Sequence, residues 1–246
     1  MTWIGKNITD KSEFTTFLSG PVRSRLIDEP QLVALDSDLR ALATTEMEVD
    51  TIERLLTIDT EREDWEIGEA LAECLLEEEH GVKWPWNTER DKRTPKASLP
   101  GADLVGLTEE GGEALLVIGE VKTSFDKDTP PNVMTGRGGM IHQLDILIND
   151  LKIHFTLVKW LYARCKNTEF WEAYQKAIKR YLESGGKALM IFGLLMRDTI
   201  PNDLDIKNRA ASLATTVTTP TKVELAVWYL PQPITDWATL TLRGAA

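Results

Sequence analysis

Two carboxylates and an amine stand at a spacing that suits chemistry on phosphate esters: Asp103, then Glu120, then Lys122 one residue beyond. Side chains alternate across a strand, so Glu120 and Lys122 project from one face at roughly 7 Å between Cα atoms. A hairpin pairing the segment at Asp103 with the segment at Glu120 would bring all three together. Two carboxylates aimed at one point suit Mg²⁺ or Mn²⁺, ions that favour oxygen ligands and leave positions for water and phosphate oxygens. Such an ion polarises a phosphoryl oxygen and helps to generate hydroxide from bound water. The Lys122 ammonium would add positive charge beside the pentavalent phosphate. The competing reading is a solvated strand end.

The elements that must position these groups follow from hydropathy and turn residues. Ala102–Leu107 reads as a strand, Glu109-Glu110-Gly111-Gly112 as a hairpin turn, and Ala114–Lys122 as a second strand buried on both faces, closed by Glu120 and Lys122. Upstream, Ile67, Ala70, Leu71, Cys74 and Leu75 fall at helical spacing and predict an amphipathic helix ending near Gly81. Downstream, Leu144 to Leu161 predict one long helix and Glu169–Leu182 another that stops at Gly185-Gly186. Lys187–Met196 predicts a buried strand, Asp203–Ala214 a short helix, and 222–230 a last strand. This order predicts an α/β fold with a mixed central sheet flanked by helices. Residues 1–60 show little regular period and are expected to form an acidic N-terminal extension, leaving 61–246 as the catalytic domain.

Composition narrows the chemistry. The two cysteines, Cys74 and Cys165, lie in separate helical patterns, so no disulfide framework or CxxC site is available, and the three histidines form no zinc motif. Any metal must be held mainly by oxygen. Gly136-Arg137-Gly138-Gly139 lacks the strand before it and the Lys-Ser/Thr after it that a phosphate-cradling loop needs, so ATP use is not expected. The net charge is −11, and it is lopsided: residues 1–81 hold 20 acids against 7 bases, the rest 19 against 21. A protein that coats nucleic acid unaided is therefore not expected, and a partner with a basic surface is. The absence of a long apolar run and of a leader-like amino terminus points to a cytoplasmic protein without membrane contact.

Asp103, Glu120 and Lys122 in this setting resemble the signature of the PD-(D/E)xK nuclease superfamily, over about residues 62–195. The resemblance implies a restriction-endonuclease-like core and Mg²⁺- or Mn²⁺-dependent hydrolysis of DNA. It also implies metal ligation by Asp103, Glu120 and the Val121 carbonyl, with Lys122 as the catalytic amine. Members often carry a further glutamate on the first core helix, here Glu69 in Gly68-Glu69-Ala70-Leu71-Ala72, with Glu73 the competitor one turn on. Gln143 is similar to the glutamine of RecB-like members. Two departures weaken the match: Ala102 stands where proline is usual, and Leu147 where a tyrosine is expected. Gly-Ala-Asp103-Leu, Gly-Glu120-Val-Lys122-Thr-Ser and Asp205-Ile206-Lys207-Asn208-Arg209 are similar to phrases of the nuclease subunits of Hachiman anti-phage defence systems, which implies a helicase partner. The alternatives are a sequence-specific restriction endonuclease and an inactive interaction module of the same fold.

Residues 83–100 are basic and aromatic. Lys83, Arg90, Lys92, Arg93 and Lys96 beside Trp84 and Trp86 are expected either to grip a backbone and stack bases or to pin the loop to the core. Glu77-Glu78-Glu79 reads as a solvated helix face.

Overall fold

The apolar runs within 114–121 and 188–196 carry too little polarity for a half-solvated sheet, so both strands must lie inside it with a layer on each face. A computed structural model describes residues 1–56, 61–92 and 101–242. Its elements, in chain order, begin with β1 (Thr2–Asn7), α1 (Lys11–Phe17), a π-helical turn (Leu18–Val22), α2 (Arg23–Leu26), α3 (Glu29–Leu42) and α4 (Glu46–Leu56). Then come α5 (Asp64–His80), α6 (Thr88–Asp91), β2 (Leu104–Glu110), β3 (Glu113–Ser124), α7 (Met140–Asn149), α8 (Leu151–Cys165) and α9 (Trp171–Glu183). The chain closes with β4 (Leu189–Arg197), α10 (Lys207–Ala214), β5 (Lys222–Tyr229) and α11 (Trp237–Leu242).

The strands make one mixed five-stranded sheet in the order β1-β5-β4-β3-β2. β2 and β3 form the antiparallel hairpin, whereas β3, β4, β5 and β1 run parallel. Alternation divides the core in two. Leu115, Val117 and Val121 of β3 join Phe192 and Leu194 of β4 against α5, α11 and the α1–α2 segment. Leu116 and Ile118 join Ile191 and Leu195 against α7, α8, α9 and α10.

The expected boundary at residue 60 needs correction. β1 completes the sheet by pairing with β5, and Phe14, Leu18, Val22 and Leu26 are buried in the core beside α5. β1 has no apolar alternation of its own and is defined by a partner more than 200 positions away, which is why a local reading passes over it. What stands apart is the α3–α4 pair, whose first helix buries none of its residues. The single long helix expected over 144–161 is instead α7 and α8, broken at Asp150, whose side chain accepts the Lys152 N–H at 2.7 Å and caps the second helix.

Two glycines let the flanking layers approach the sheet. A Cβ on Gly193 of β4 would fall 2.6 Å from Leu144 Cδ1, so α7 rests directly on the strand. A Cβ on Gly68 of α5 would meet Thr123 Oγ1 at 2.0 Å. Gly68→Ala is therefore expected to cost about 1–3 kcal/mol by overpacking. Thr123→Ala in the same chain should recover part of that loss. Urea denaturation of the single and double variants checks it, and a Gly68→Ala protein as stable as the parent would show that α5 does not press on β3 there.

Candidate functional site

The site forms where one strand ends and its neighbour continues. The β2–β3 ladder begins at Leu104 opposite Gly119, so among the described residues β3 from Glu120 to Ser124 pairs with β4 alone and its other edge carries no strand. Glu120 lies within β3, not at its end as the sequence pattern predicts, because β4 carries the strand on to Ser124. Asp103, the residue before β2, lies opposite Glu120 when the register is extended by one step. Its Oδ2 accepts the Val121 N–H at 2.9 Å, so this carboxylate takes the ladder position that β2 no longer fills. In an extended chain a residue's N–H and C=O point to the same side, so the Val121 carbonyl also faces the open edge.

Asp103, Glu120 and Lys122 thus share one face, that of α7 to α9. Lys122 Nζ stands 2.5 Å from Glu120 Oε1, and the Glu120 side chain is 9% exposed against 24% for Lys122. The Asp103 and Glu120 carboxyls are close enough to influence each other's ionisation. Burial, then the Asp103 charge, pushes Glu120 up to about 7, against the pull of Lys122. Burial also raises Asp103, opposed by the Val121 N–H and by Lys122.

Glu69 arrives from α5, and its carboxyl is close enough to feel Asp103 and Glu120: burial first, then Asp103, Glu73 and Glu120, push it up to about 9. Glu73 is differently engaged. Its Oε2 lies 2.5 Å from Arg25 Nε, and that guanidinium opposes the upward push of burial on its carboxyl. Of the two helix carboxylates the structure therefore leaves Glu69 to the Asp103–Glu120 pair. The sequence reading missed Arg25, because 48 positions separate the pair. Gln143 donates from Nε2 to the Arg137 carbonyl at 3.3 Å, and among the described residues it has no bond to Asp103, Glu120 or Lys122.

The tryptophans settle as anchors and not as stacking platforms. Trp84 and Trp86 are buried, Trp84 Nε1 donates to the Glu73 carbonyl at 3.2 Å, and Trp86 Nε1 to that of Val105 at 2.5 Å. Arg90 binds Asp28 through two nitrogens at 2.8 Å, and Lys92 is paired with Glu66. Lys83 is exposed, while Arg93 and Lys96 lie outside the described residues. Glu77, Glu78 and Glu79 are exposed as expected, and Cys74 and Cys165 are buried free thiols.

The donor set suits a hard divalent cation. Burial and mutual repulsion raise Asp103, Glu120 and Glu69 together, and a cation held by Asp103 and Glu120 would favour their ionised forms. Among the described residues, no three His, Cys, Asp or Glu side chains are gathered closely enough to enclose an ion. The ligands would therefore be Asp103, Glu120 and the Val121 carbonyl, with Glu69 outside the immediate set and the remaining positions left to water or phosphate oxygens, a pattern usual for Mg²⁺.

This crowding has a consequence for stability. A carboxyl whose pKa is raised by folding holds an extra proton in the folded state, so its contribution is complete below about 4.5 and is lost as pH rises through the folded value. For Glu120 that loss runs from about 4.5 and is complete by about 7, and for Glu69 it continues to about 9. The melting temperature in EDTA is expected to fall as pH is raised, with Glu120→Gln removing part of the fall between about 4.5 and 7. A flat profile for the unsubstituted protein would show that the carboxyls are not crowded.

Comparison with protein-family models, with curated proteins and with solved structures finds no match to the chain. Its own geometry carries the functional reading. Among the described residues no helix is long and apolar enough to cross a membrane.

Proposed function

We propose that the chain is a metal-dependent nuclease that hydrolyses phosphodiester bonds of DNA, with a restriction-endonuclease-like core of the PD-(D/E)xK superfamily. The observation that carries this is the convergence of Asp103, Glu120 and Lys122 on one face at the edge of β3 that β2 leaves, where the Asp103 carboxylate accepts the Val121 N–H. When bound, Mg²⁺ or Mn²⁺ would supply Lewis acidity and lower the pKa of a water. Asp103 and Glu120 orient the ligand oxygens. Lys122 holds its ammonium beside the site, where it offsets the charge that develops on the phosphoryl oxygens and orients the attacking water. Glu69, carrying its proton to about pH 9, limits the negative charge an incoming phosphate meets.

The same reading includes an effector role in an anti-phage defence complex with a helicase partner. Its support is the resemblance together with α3 and α4, which display Leu32, Val33, Leu35, Met47 and Leu55 at the surface among seven acids and two arginines. An acidic apolar surface of this kind suits a basic partner that supplies the grip on DNA.

A second reading, an inactive interaction module, is favoured by one observation: the Glu120 carboxylate is paired with Lys122, and Asp103 is occupied by a backbone N–H. Calorimetric titration with Mg²⁺ and Mn²⁺ alongside a plasmid-nicking assay separates the two. Metal binding and nicking that both vanish in Glu120→Gln support the nuclease. Neither metal binding nor nicking, with or without a partner, supports the module.

A further inference from the structure

α7 touches the sheet with Met140 and Leu144, which pack over Gly193, the register partner of Glu120. Between α7 and α10 lies a cavity of about 350 Å³ lined by Thr135, Gly136, His142, Asp145, Arg209 and Ser212 among others. Arg209 is half-buried in this wall and makes no ion pair or hydrogen bond among the described residues. A guanidinium that gives up solvent normally gains an acceptor, so an Arg without one in a cavity walled partly by Met134, Ile141 and Leu213 points to an anion. Asp145 is the single carboxylate in the lining, and one of its oxygens is taken by Asn149 Nδ2 at 3.1 Å.

The walls are built and not incidental. Arg197, at the end of β4, and Asp205 are both 1% exposed and pair at 3.1 Å. Arg197 also donates to the carbonyls of Asp126 at 2.5 Å and Asp128 at 3.2 Å, while Asp126 Oδ2 accepts the N–H of Asn132 at 3.0 Å. The Asn132 carbonyl in turn accepts the N–H of Thr135 at 3.1 Å. One buried ion pair thereby ties the loop that ends in Thr135 and Gly136 to the segment that leads into α10. It fixes the two sides of the cavity relative to β3 and β4.

We infer that this cavity is a phosphate-binding subsite centred on Arg209, which holds a backbone phosphate of the nucleic acid cut at Asp103 and Glu120. It rests on the nuclease reading for the identity of its ligand. A contact there positions the strand without reading its sequence.

The test uses the full chain in EDTA, so that binding is read without cleavage. The probes are inorganic phosphate, followed by the amide resonances of Gly136 and Gly139, and a labelled single-stranded deoxythymidine 12-mer, followed by anisotropy over a range of KCl. Arg209→Ala is expected to weaken oligonucleotide binding about tenfold. It should also reduce the salt slope by about 0.7, the loss of one phosphate contact on a single strand. Arg209→Lys should retain part of the affinity, and phosphate should shift the two glycines in the parent and not in Arg209→Ala. Unchanged affinity, slope and phosphate response in a folded Arg209→Ala protein overturn the subsite, and intact cleavage alongside them leaves the nuclease reading standing. A phosphate response lost in Arg209→Ala, with no oligonucleotide bound by the parent, overturns the strand contact proposed for this chain and leaves a site for small anions, while the nuclease reading stands or falls on the metal titration and nicking assay.

Discussion

Glu120→Gln and Lys122→Ala are each expected to lower Mg²⁺-supported cleavage at least about 10³-fold, the size of an effect that removes several kcal/mol of charge stabilisation at the phosphoryl group. The two substitutions should differ in what else they change. Glu120 is pushed up to about 7 by burial and by Asp103, so at pH 8 its ionised form is held against repulsion in the metal-free protein. Glutamine keeps the shape and removes the charge. Glu120→Gln should therefore melt higher in EDTA, by about 2–4 °C for each kcal/mol of relief. Lys122→Ala takes away an ammonium that offsets the pair and should melt lower. Cleavage at full strength by either variant would overturn the assignment. Equal melting shifts of the same sign would show that Glu120 and Lys122 do not form the charged unit described above.

The second large effect concerns stability. Asp205→Ala is expected to cost about 3–5 kcal/mol, because it leaves the Arg197 guanidinium buried without a counter-charge. Three neutral acceptors remain to Arg197, the carbonyls of Asp126 and Asp128 and Thr199 Oγ1, and they do not replace the charge. Replacing both partners with apolar residues, as in Arg197→Met with Asp205→Leu, should cost less than the sum of the single changes, since no lone charge is then buried. Tyr229→Phe, which removes a hydroxyl bonded to Asp205 Oδ2 at 2.9 Å, should cost only about 1 kcal/mol. Urea denaturation of Asp205→Ala, Tyr229→Phe, the double variant and its two single changes measures all of this. An Asp205→Ala protein within about 1 kcal/mol of the parent would show that water reaches the pair.

The sequence by itself determined what local pattern encodes. The apolar runs placed β3 and β4, Glu109-Glu110-Gly111-Gly112 placed the turn between β2 and β3, and the 3.6-residue spacing from Ile67 to Leu75 placed α5. The hairpin order was enough to put Asp103 and Glu120 on one face, because antiparallel register and side-chain alternation are local rules. Tertiary structure decided whatever depended on distant partners. β1 exists as a strand through β5, and Trp84 and Trp86 are anchors because the Glu73 and Val105 carbonyls await them. Glu69 and Glu73, one turn apart on the same helix, are indistinguishable by composition. They are separated by Arg25, which a different helix brings to Glu73 and not to Glu69. A carboxylate's role depends on the charges within a few ångströms of it, and those are set by packing across the chain and not by spacing along it.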